Sequence, residues 1–155
     1  MNQLLRGEIF DHFLMPEAVI AQDYTFSIDG HLKEEYYTRE ELEEKNLTLG
    51  DILPYSYIRP ALYQLIRGKK TPVYFKFVLM LSPINLGKTL ALSESGLAFA
   101  DVAGMFINIT YQNGSLTITT GISYKTFTTD KTLDHEWDKM VKKFLSQHSM
   151  AWEEL

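Results

Sequence analysis

The stretch AGMFINITYQNGSLTITTGISYKTF, from Ala103 to Phe127, decides the fold. Its two β-like runs flank Asn113-Gly114, the pair favoured in a two-residue type I′ turn because both residues tolerate positive φ. This turn sets the register of an antiparallel ribbon with one apolar side and one side of hydroxyl groups, so we expect only the apolar side to be buried. The predicted apolar pairs are Met105–Ile122, Ile109–Ile118 and Tyr111–Leu116, and the polar pairs are Thr110–Thr117 and Asn108–Thr119.

Apolar residues recur every three or four positions near the C-terminal end and predict an amphipathic helix that covers the apolar side of the ribbon. Asp130 or Thr132 is expected to cap the helix, because a short oxygen-bearing side chain accepts hydrogen bonds from first-turn amides. The apolar stripe is interpreted as core and consists of Leu133, Trp137, Met140, Val141, Phe144 and Leu145.

The remaining chain alternates apolar strands with amphipathic helices. Strands that are separated by helices but close in a hairpin predict an α+β fold, a single domain with a mostly antiparallel sheet and helices packed mainly on one face. The predicted elements are a helix over Asn2 to Leu14 ended by Met15-Pro16, strands over Ala18 to Gln22 and Tyr24 to Ile28 that pair with each other, a helix over Thr38 to Glu44 with a capping box, a loop over Asn46 to Ser56, a helix from Arg59-Pro60 to a left-handed cap at Gly68, a strand over Val73 to Leu81, and a helix started by Ser82-Pro83.

Length and composition indicate a small globular protein. The chain has 155 residues, enough for one domain with a substantial core, and we expect residues 1–155 to form that domain. The absence of cysteine excludes disulfides and thiolate chemistry. The longest apolar run, Phe77 to Leu81, is too short to span a bilayer, and the N-terminus lacks the apolar region of a signal peptide. We therefore expect a cytoplasmic protein with no membrane contact.

Charge is unevenly distributed along the chain, although the net charge is only −5. Residues 1–51 carry twelve acidic and four basic side chains, whereas residues 52–93 carry six basic side chains and no acidic one. Tyrosines are interleaved with these cations, a mixture that can bind phosphate or stack bases. The candidate ligand-binding residues are Arg59, Arg67, Lys69 and Lys70.

A purely structural role is the alternative for these four cations. Cations at the C-terminal end of a helix complement its dipole, and the acidic segment 33–45 offers carboxylates to pair with them. The two interpretations differ in whether the cations converge on open solvent or are neutralised by Glu40, Glu41, Glu43 and Glu44.

Other motifs favour no specific chemistry. Gly87-Lys88-Thr89 ends like a phosphate-binding loop, but Ser82 stands where that motif needs glycine and Pro83 follows it, so a capped helix is expected instead. The histidines have no metal-binding spacing. The sequence therefore predicts no metal site, no cofactor and no catalytic residue, and leans against an enzyme.

Five segments resemble a family of small bacterial proteins known only as a domain of unknown function: LLRGEIFDHFL, TFSIDG, IRPALYQLIRGKKTPVYFKFVL, GMFINITYQNGSLTITTG and FTTDKTLDHEWD. The resemblance covers nearly the whole chain and implies one compact intracellular domain, with no activity, cofactor or catalytic residue. The family pattern has a further β-like run before the first helix. If this chain lacks that strand, a sheet edge is left open and favours self-association.

Two functional hypotheses follow, and an enzyme with an unrecognised pocket ranks third. The preferred one is a non-enzymatic domain that binds a protein partner or a second copy of itself. The alternative is a binder of an anionic ligand, RNA or a nucleotide, through Arg59, Arg67, Lys69 and Lys70. The alternative predicts an affinity that falls steeply as salt rises.

Overall fold

A five-stranded antiparallel sheet carries the fold in the computed structural model, which describes residues 2–46, 51–68 and 70–155. The strands are β1 (Leu14–Ala21), β2 (Thr25–Asp29), β3 (Tyr74–Met80), β4 (Val102–Gln112) and β5 (Ser115–Tyr124), in the order β2-β1-β3-β4-β5. The helices are α1 (Asn2–Leu5), α2 (Arg39–Glu44), α3 (Tyr55–Ile66), α4 (Pro83–Leu92) and α5 (Thr132–Gln147), with short 3₁₀ turns at Glu34–Tyr36 and Phe99–Asp101. The predicted α+β class is confirmed.

The hairpin of β4 and β5 has the predicted register. Asn113 and Gly114 form its turn with φ values of 53° and 77°, and Ile109 lies opposite Ile118. On the apolar side of β4, Tyr111 is half-buried and the other side chains of the ladder are buried, whereas Phe106, Asn108 and Thr110 on the other side are half-buried. The prediction that one side of the ribbon is buried is therefore confirmed for Met105, Ile107 and Ile109.

Helix α5 covers the apolar side of this ribbon, as predicted. Trp137 is 4% exposed, and its indole Nε1–H donates to the Phe106 carbonyl oxygen at 2.9 Å. The Tyr124 hydroxyl donates to the Asp134 carboxylate at 2.7 Å, and burial together with this carboxylate raises the pKa of Tyr124. Of the predicted stripe, Met140 is exposed, Phe144 is half-buried, and Leu133, Trp137, Val141 and Leu145 are buried.

The start of α5 differs slightly from the prediction. Lys131 occupies the N-cap position and its side chain makes no capping hydrogen bond. Asp130 instead accepts hydrogen bonds from the backbone N–H and the hydroxyl of Thr132, at 3.0 and 2.7 Å, and these bonds lower the pKa of Asp130. Both predicted residues therefore act at this end, but neither is the cap residue.

The core lies on one face of the sheet, where the helices mainly pack. Antiparallel pairing aligns alternate residues of neighbouring strands on the same face. Ile20 thus lies opposite Phe75, and Phe77 lies opposite Ile109. The first two strands pair with each other as predicted, with Ala18 opposite Ile28. The most deeply buried sheet residues on this face are Ala18, Ile20, Phe75, Phe77, Leu79, Met105, Ile107 and Ile109.

The predicted N-terminal helix over Asn2 to Leu14 is wrong. Helix α1 ends at Leu5, and residues 8–13 form turns that bury the ring of Phe10. Gly7 lies so close to the preceding backbone that a Cβ there would be 2.6 Å from the Gln3 carbonyl oxygen. Met15-Pro16 lies inside β1 rather than ending a helix, which is compatible with proline near the start of a strand.

The predicted start of the next helix at Arg59-Pro60 is also wrong. The predicted loop over Asn46 to Ser56 is wrong at the C-terminal end of the loop, where the helix has already begun. Helix α3 begins at Tyr55, with Pro54 at the N-cap position and Pro60 inside the helix. Tyr55 is completely buried and donates its hydroxyl to the Leu4 carbonyl oxygen at 2.5 Å, and burial raises its pKa. Because Tyr55 is buried against a distant part of the chain, α3 starts earlier than the position of Pro60 indicates.

Several local predictions are confirmed. Thr38 and Glu41 form the capping box of α2, and Ser82 caps α4. Gly87-Lys88-Thr89 lies within α4 and forms no phosphate-binding loop.

The predicted left-handed cap at Gly68 is wrong, because Arg67 ends α3 in an extended conformation and Gly68 has a φ of 153°. No helix in the described part of the chain is long and apolar enough to cross a membrane.

Candidate functional site

Arg59, one of the four candidate ligand-binding residues, is held by a carboxylate of the protein itself. Its Nε–H and Nη2–H groups donate to the two carboxylate oxygens of Asp11, each at 3.0 Å. Both side chains are only 18% exposed, and the hydrogen bonds that Arg59 donates to Asp11 raise the pKa of Arg59. This bidentate pair fastens α3 to the turn that precedes β1, so Arg59 has a structural partner.

A cavity of about 260 Å³ lies at the C-terminal end of α3, and three cationic side chains line it. Among the residues that the structure describes, its lining contains no aspartate or glutamate. Apolar side chains of Leu5, Ile66 and Pro72 form part of its wall. We call this cavity the basic cleft, defined by Arg6, Tyr63, Arg67 and Lys70.

Arg6 is oriented in the basic cleft by Tyr63. Its Nη2–H donates to the Tyr63 hydroxyl at 3.0 Å, and its guanidinium carbon lies 5.4 Å from the centre of the Tyr63 ring. This geometry combines a hydrogen bond with a cation–π contact and leaves other guanidinium N–H groups available. Sequence reasoning missed Arg6, because a separation of 57 positions from Tyr63 carries no local signal.

Arg67 and Lys70 complete the basic cleft with exposed side chains. Neither side chain donates a hydrogen bond to a residue within 2–46, 51–68 or 70–155. Two carbonyls at the end of α3 already have other donors, since the Gln22 amide binds the Leu65 oxygen at 2.6 Å and the Arg67 N–H binds the Tyr63 oxygen at 2.9 Å. Of the four predicted residues, Arg67 and Lys70 therefore come together, and Lys69 lies outside the described residues.

The acidic segment 33–45 contacts a different part of α3. The hydroxyls of Tyr37 and Tyr57 are 2.7 Å apart, and this hydrogen bond raises the pKa of Tyr37 to about 12. Lys45 lies 5.5 Å from the centre of the Tyr37 ring. Tyr57 is in the first turn of α3, and the basic cleft is at the other end of that helix. Among the described residues, none of the ion pairs joins Arg67 or Lys70 to Glu40, Glu41, Glu43 or Glu44.

A second concavity of about 420 Å³ lies between α4 and α5. It is largely apolar, with Trp137, Met140 and Phe144 in its lining and Lys88 and Lys143 as its cations. Its described lining holds neither histidine nor carboxylate, the commonest groups of an acid–base centre. Within the part of the chain that the structure describes, no group of three or more histidine, aspartate and glutamate side chains is placed to hold a metal ion.

Comparison with protein families gives one result. Residues 3–153 match the model of a family of unknown function, DUF5721. The chain belongs to this family. The match confirms the resemblance carried by the five segments quoted above, and the DUF5721 description assigns no activity. Comparisons with curated proteins and with solved structures give no match to this DUF5721 protein.

Proposed function

We propose that the protein binds a compact phosphorylated molecule of nucleotide size in the basic cleft. One observation carries this proposal: Arg6, Arg67 and Lys70 line a single cavity to which no described residue contributes a carboxylate. Like charges that share a cavity repel one another, and a phosphate removes this repulsion while accepting several charge-assisted hydrogen bonds. The apolar wall strengthens the attraction, because low-dielectric surfaces focus the field of the cations.

The shape of the basic cleft favours a small ligand over RNA, the two anionic ligands considered from the sequence. Its volume of about 260 Å³ lies just below the roughly 300–1,000 Å³ of typical small-molecule pockets, so it holds a phosphate group with part of one nucleoside and has no room for several nucleotides of RNA. Arg59 belongs to the Asp11 pair and does not line the cleft. Arg6, Arg67 and Lys70 share one cavity, whereas single-stranded nucleic acid is bound along a positively charged groove.

Removal of one cleft cation should weaken this binding. We expect Arg67→Ala and Lys70→Ala each to raise the Kd for adenosine monophosphate about 10- to 100-fold, because a hydrogen bond to a charged group contributes roughly 1.5–3 kcal/mol. Isothermal titration calorimetry of the full chain at low salt measures this change. The same titration with inorganic phosphate separates recognition of the phosphate from recognition of the nucleoside.

Lys88→Ala is the matched control, because it removes one exposed lysine from α4, outside the basic cleft. Its Kd should equal that of the wild type. A short single-stranded RNA should bind no more tightly than the mononucleotide. Equal losses in Lys88→Ala and Arg67→Ala would contradict the proposal, as would tighter binding of RNA or no binding of any phosphorylated probe.

A further inference from the structure

The outer edge of β5 is the longer of the two edges of the sheet. β5 has ten residues, whereas β2 at the opposite edge has five. Within the described residues, no strand pairs with the outer side of β5. A strand edge of this length presents a row of N–H and C=O groups to solvent and is a template for another strand.

The hairpin register shows which backbone groups form this row. In a two-residue hairpin, Gln112 and Ser115 form a hydrogen-bonded pair, and hydrogen-bonded and non-hydrogen-bonded pairs then alternate. The odd-numbered residues of β5 therefore bond to β4, and the even-numbered residues direct their N–H and C=O groups outward. Outside the hairpin ladder, none of these outward groups bonds to another described residue.

The edge of β5 lacks the features that normally protect such an edge. Proteins block exposed strand edges with charged residues, proline or short strands. The sequence of β5, SLTITTGISY, contains no charged residue and no proline. β2 is short and ends at Asp29, whose carboxylate pairs with Lys33 at 2.9 Å. The contrast indicates that the β5 edge is kept open for pairing.

The side chains of β5 on the core side are also incompletely covered. Ile118 and Ile122 are half-buried, whereas their partners Ile109 and Met105 on β4 are at most 1% exposed. Helix α5 therefore leaves this strand partly uncovered. A strand added at the edge of β5 would extend the apolar side and remove more of the isoleucine surface from water.

We infer that β5 pairs in antiparallel orientation with β5 of a second copy of the chain. The register that pairs outward-directed residues places Thr120 opposite its own counterpart, Ile118 opposite Ile122, and Leu116 opposite Tyr124. This strand pair forms up to about ten backbone hydrogen bonds. Because β5 itself has no charged residue, the two strands meet without charge repulsion between their own side chains, and the nearby carboxylates of Asp134 and Asp138 already accept hydrogen bonds from Tyr124 and Thr120. A two-fold axis closes the assembly at two copies and joins the two sheets into one.

Hydrogen exchange and mass measured over a range of concentrations test this inference. In light scattering, the mass should rise from 17.9 kDa towards twice that value as the concentration increases. In the same range, the amides of Ile118, Thr120 and Ile122 should become at least tenfold more protected, because they are the groups that gain partners. Amides of odd-numbered residues in β5 are already bonded to β4 and should change little.

Two matched variants locate the contact. Thr119→Lys and Ser27→Lys each add one lysine at an exposed position, the first on β5 and the second on β2. We expect Thr119→Lys to remain at 17.9 kDa and Ser27→Lys to dimerise like the wild type. A wild type that stays monomeric, a Thr119→Lys variant that dimerises fully, or protection of odd- and even-numbered amides alike would overturn the inference.

Discussion

Gly30→Ala is expected to lower the free energy of unfolding by more than about 4 kcal/mol, a loss comparable to the whole stability of many small domains. A Cβ at this position would lie 1.7 Å from the Met15 carbonyl oxygen and 2.8 Å from its carbonyl carbon. The obstructing atoms belong to the backbone, so no side-chain rotation relieves the clash. The Gly30 N–H donates to the Pro16 carbonyl at 2.9 Å, and the Gly30 carbonyl accepts from the Leu53 N–H at 2.8 Å. Gly30 therefore joins β1, β2 and the segment before α3.

Gly87→Ala is the matched control for this substitution. Apart from its chain neighbours and the backbone of its own helix, no described residue has an atom within 4 Å of a Cβ built on Gly87, which lies inside α4. Replacement of glycine in a helix interior should raise the free energy of unfolding by about 0.5–1 kcal/mol. Urea denaturation followed by circular dichroism measures both variants. A Gly30→Ala protein as stable as the wild type would contradict the close backbone approach.

Trp137→Ala should reduce the free energy of unfolding by about 3–5 kcal/mol, the usual cost of truncating a large buried aromatic residue. Trp137 is 4% exposed between α5 and the ribbon, and truncation also removes the hydrogen bond to the Phe106 carbonyl. Trp137→Phe keeps most of the apolar contact but loses the N–H donor, so a smaller loss of about 1–2 kcal/mol is expected. Denaturation monitored by circular dichroism gives both values.

Met140→Ala provides the comparison on the same helix. Met140 belongs to the same apolar stripe but is 43% exposed, so its truncation should cost less than about 1 kcal/mol. Similar losses for Trp137→Ala and Met140→Ala would show that α5 does not cover the ribbon through Trp137.

The parts of the fold that are encoded locally could be predicted from the sequence. Asn113-Gly114 sets the hairpin register through φ values that few other residue pairs adopt. The capping box of Thr38 and Glu41 and the position of Ser82 before Pro83 similarly depend on neighbours within a few residues. These signals are strong because both partners of each interaction lie in one short segment.

The errors arise where distant contacts override a local signal. Pro60 indicated the first turn of a helix, but burial of Tyr55 against the Leu4 carbonyl begins α3 earlier. The helical spacing of apolar residues in LLRGEIFDHFL proved to belong to a short helix, turns and the start of a strand. Apolar spacing alone does not distinguish these alternatives in a short segment.

The candidate site was only partly accessible to sequence reasoning, for the same reason. The cluster of Arg67 and Lys70 was visible as a run of cations without acids. The pairing of Arg59 with Asp11 and the approach of Arg6 to Tyr63 both join residues far apart in the chain. The proposed site therefore lies at the C-terminal end of α3 and contains Arg6 instead of Arg59.

Chemical-shift mapping of the isotope-labelled full chain with adenosine monophosphate tests the central claim most directly. The amides of Tyr63, Gly68 and Thr71 around the basic cleft should shift on titration with a common Kd, and these shifts should weaken as salt rises, because the interaction is electrostatic. The chemical shifts of amides in β5 and in the groove between α4 and α5 should not change. Shifts confined to those distant regions, or no shift at millimolar nucleotide in low salt, would contradict the assignment of an anion-binding function to the cleft.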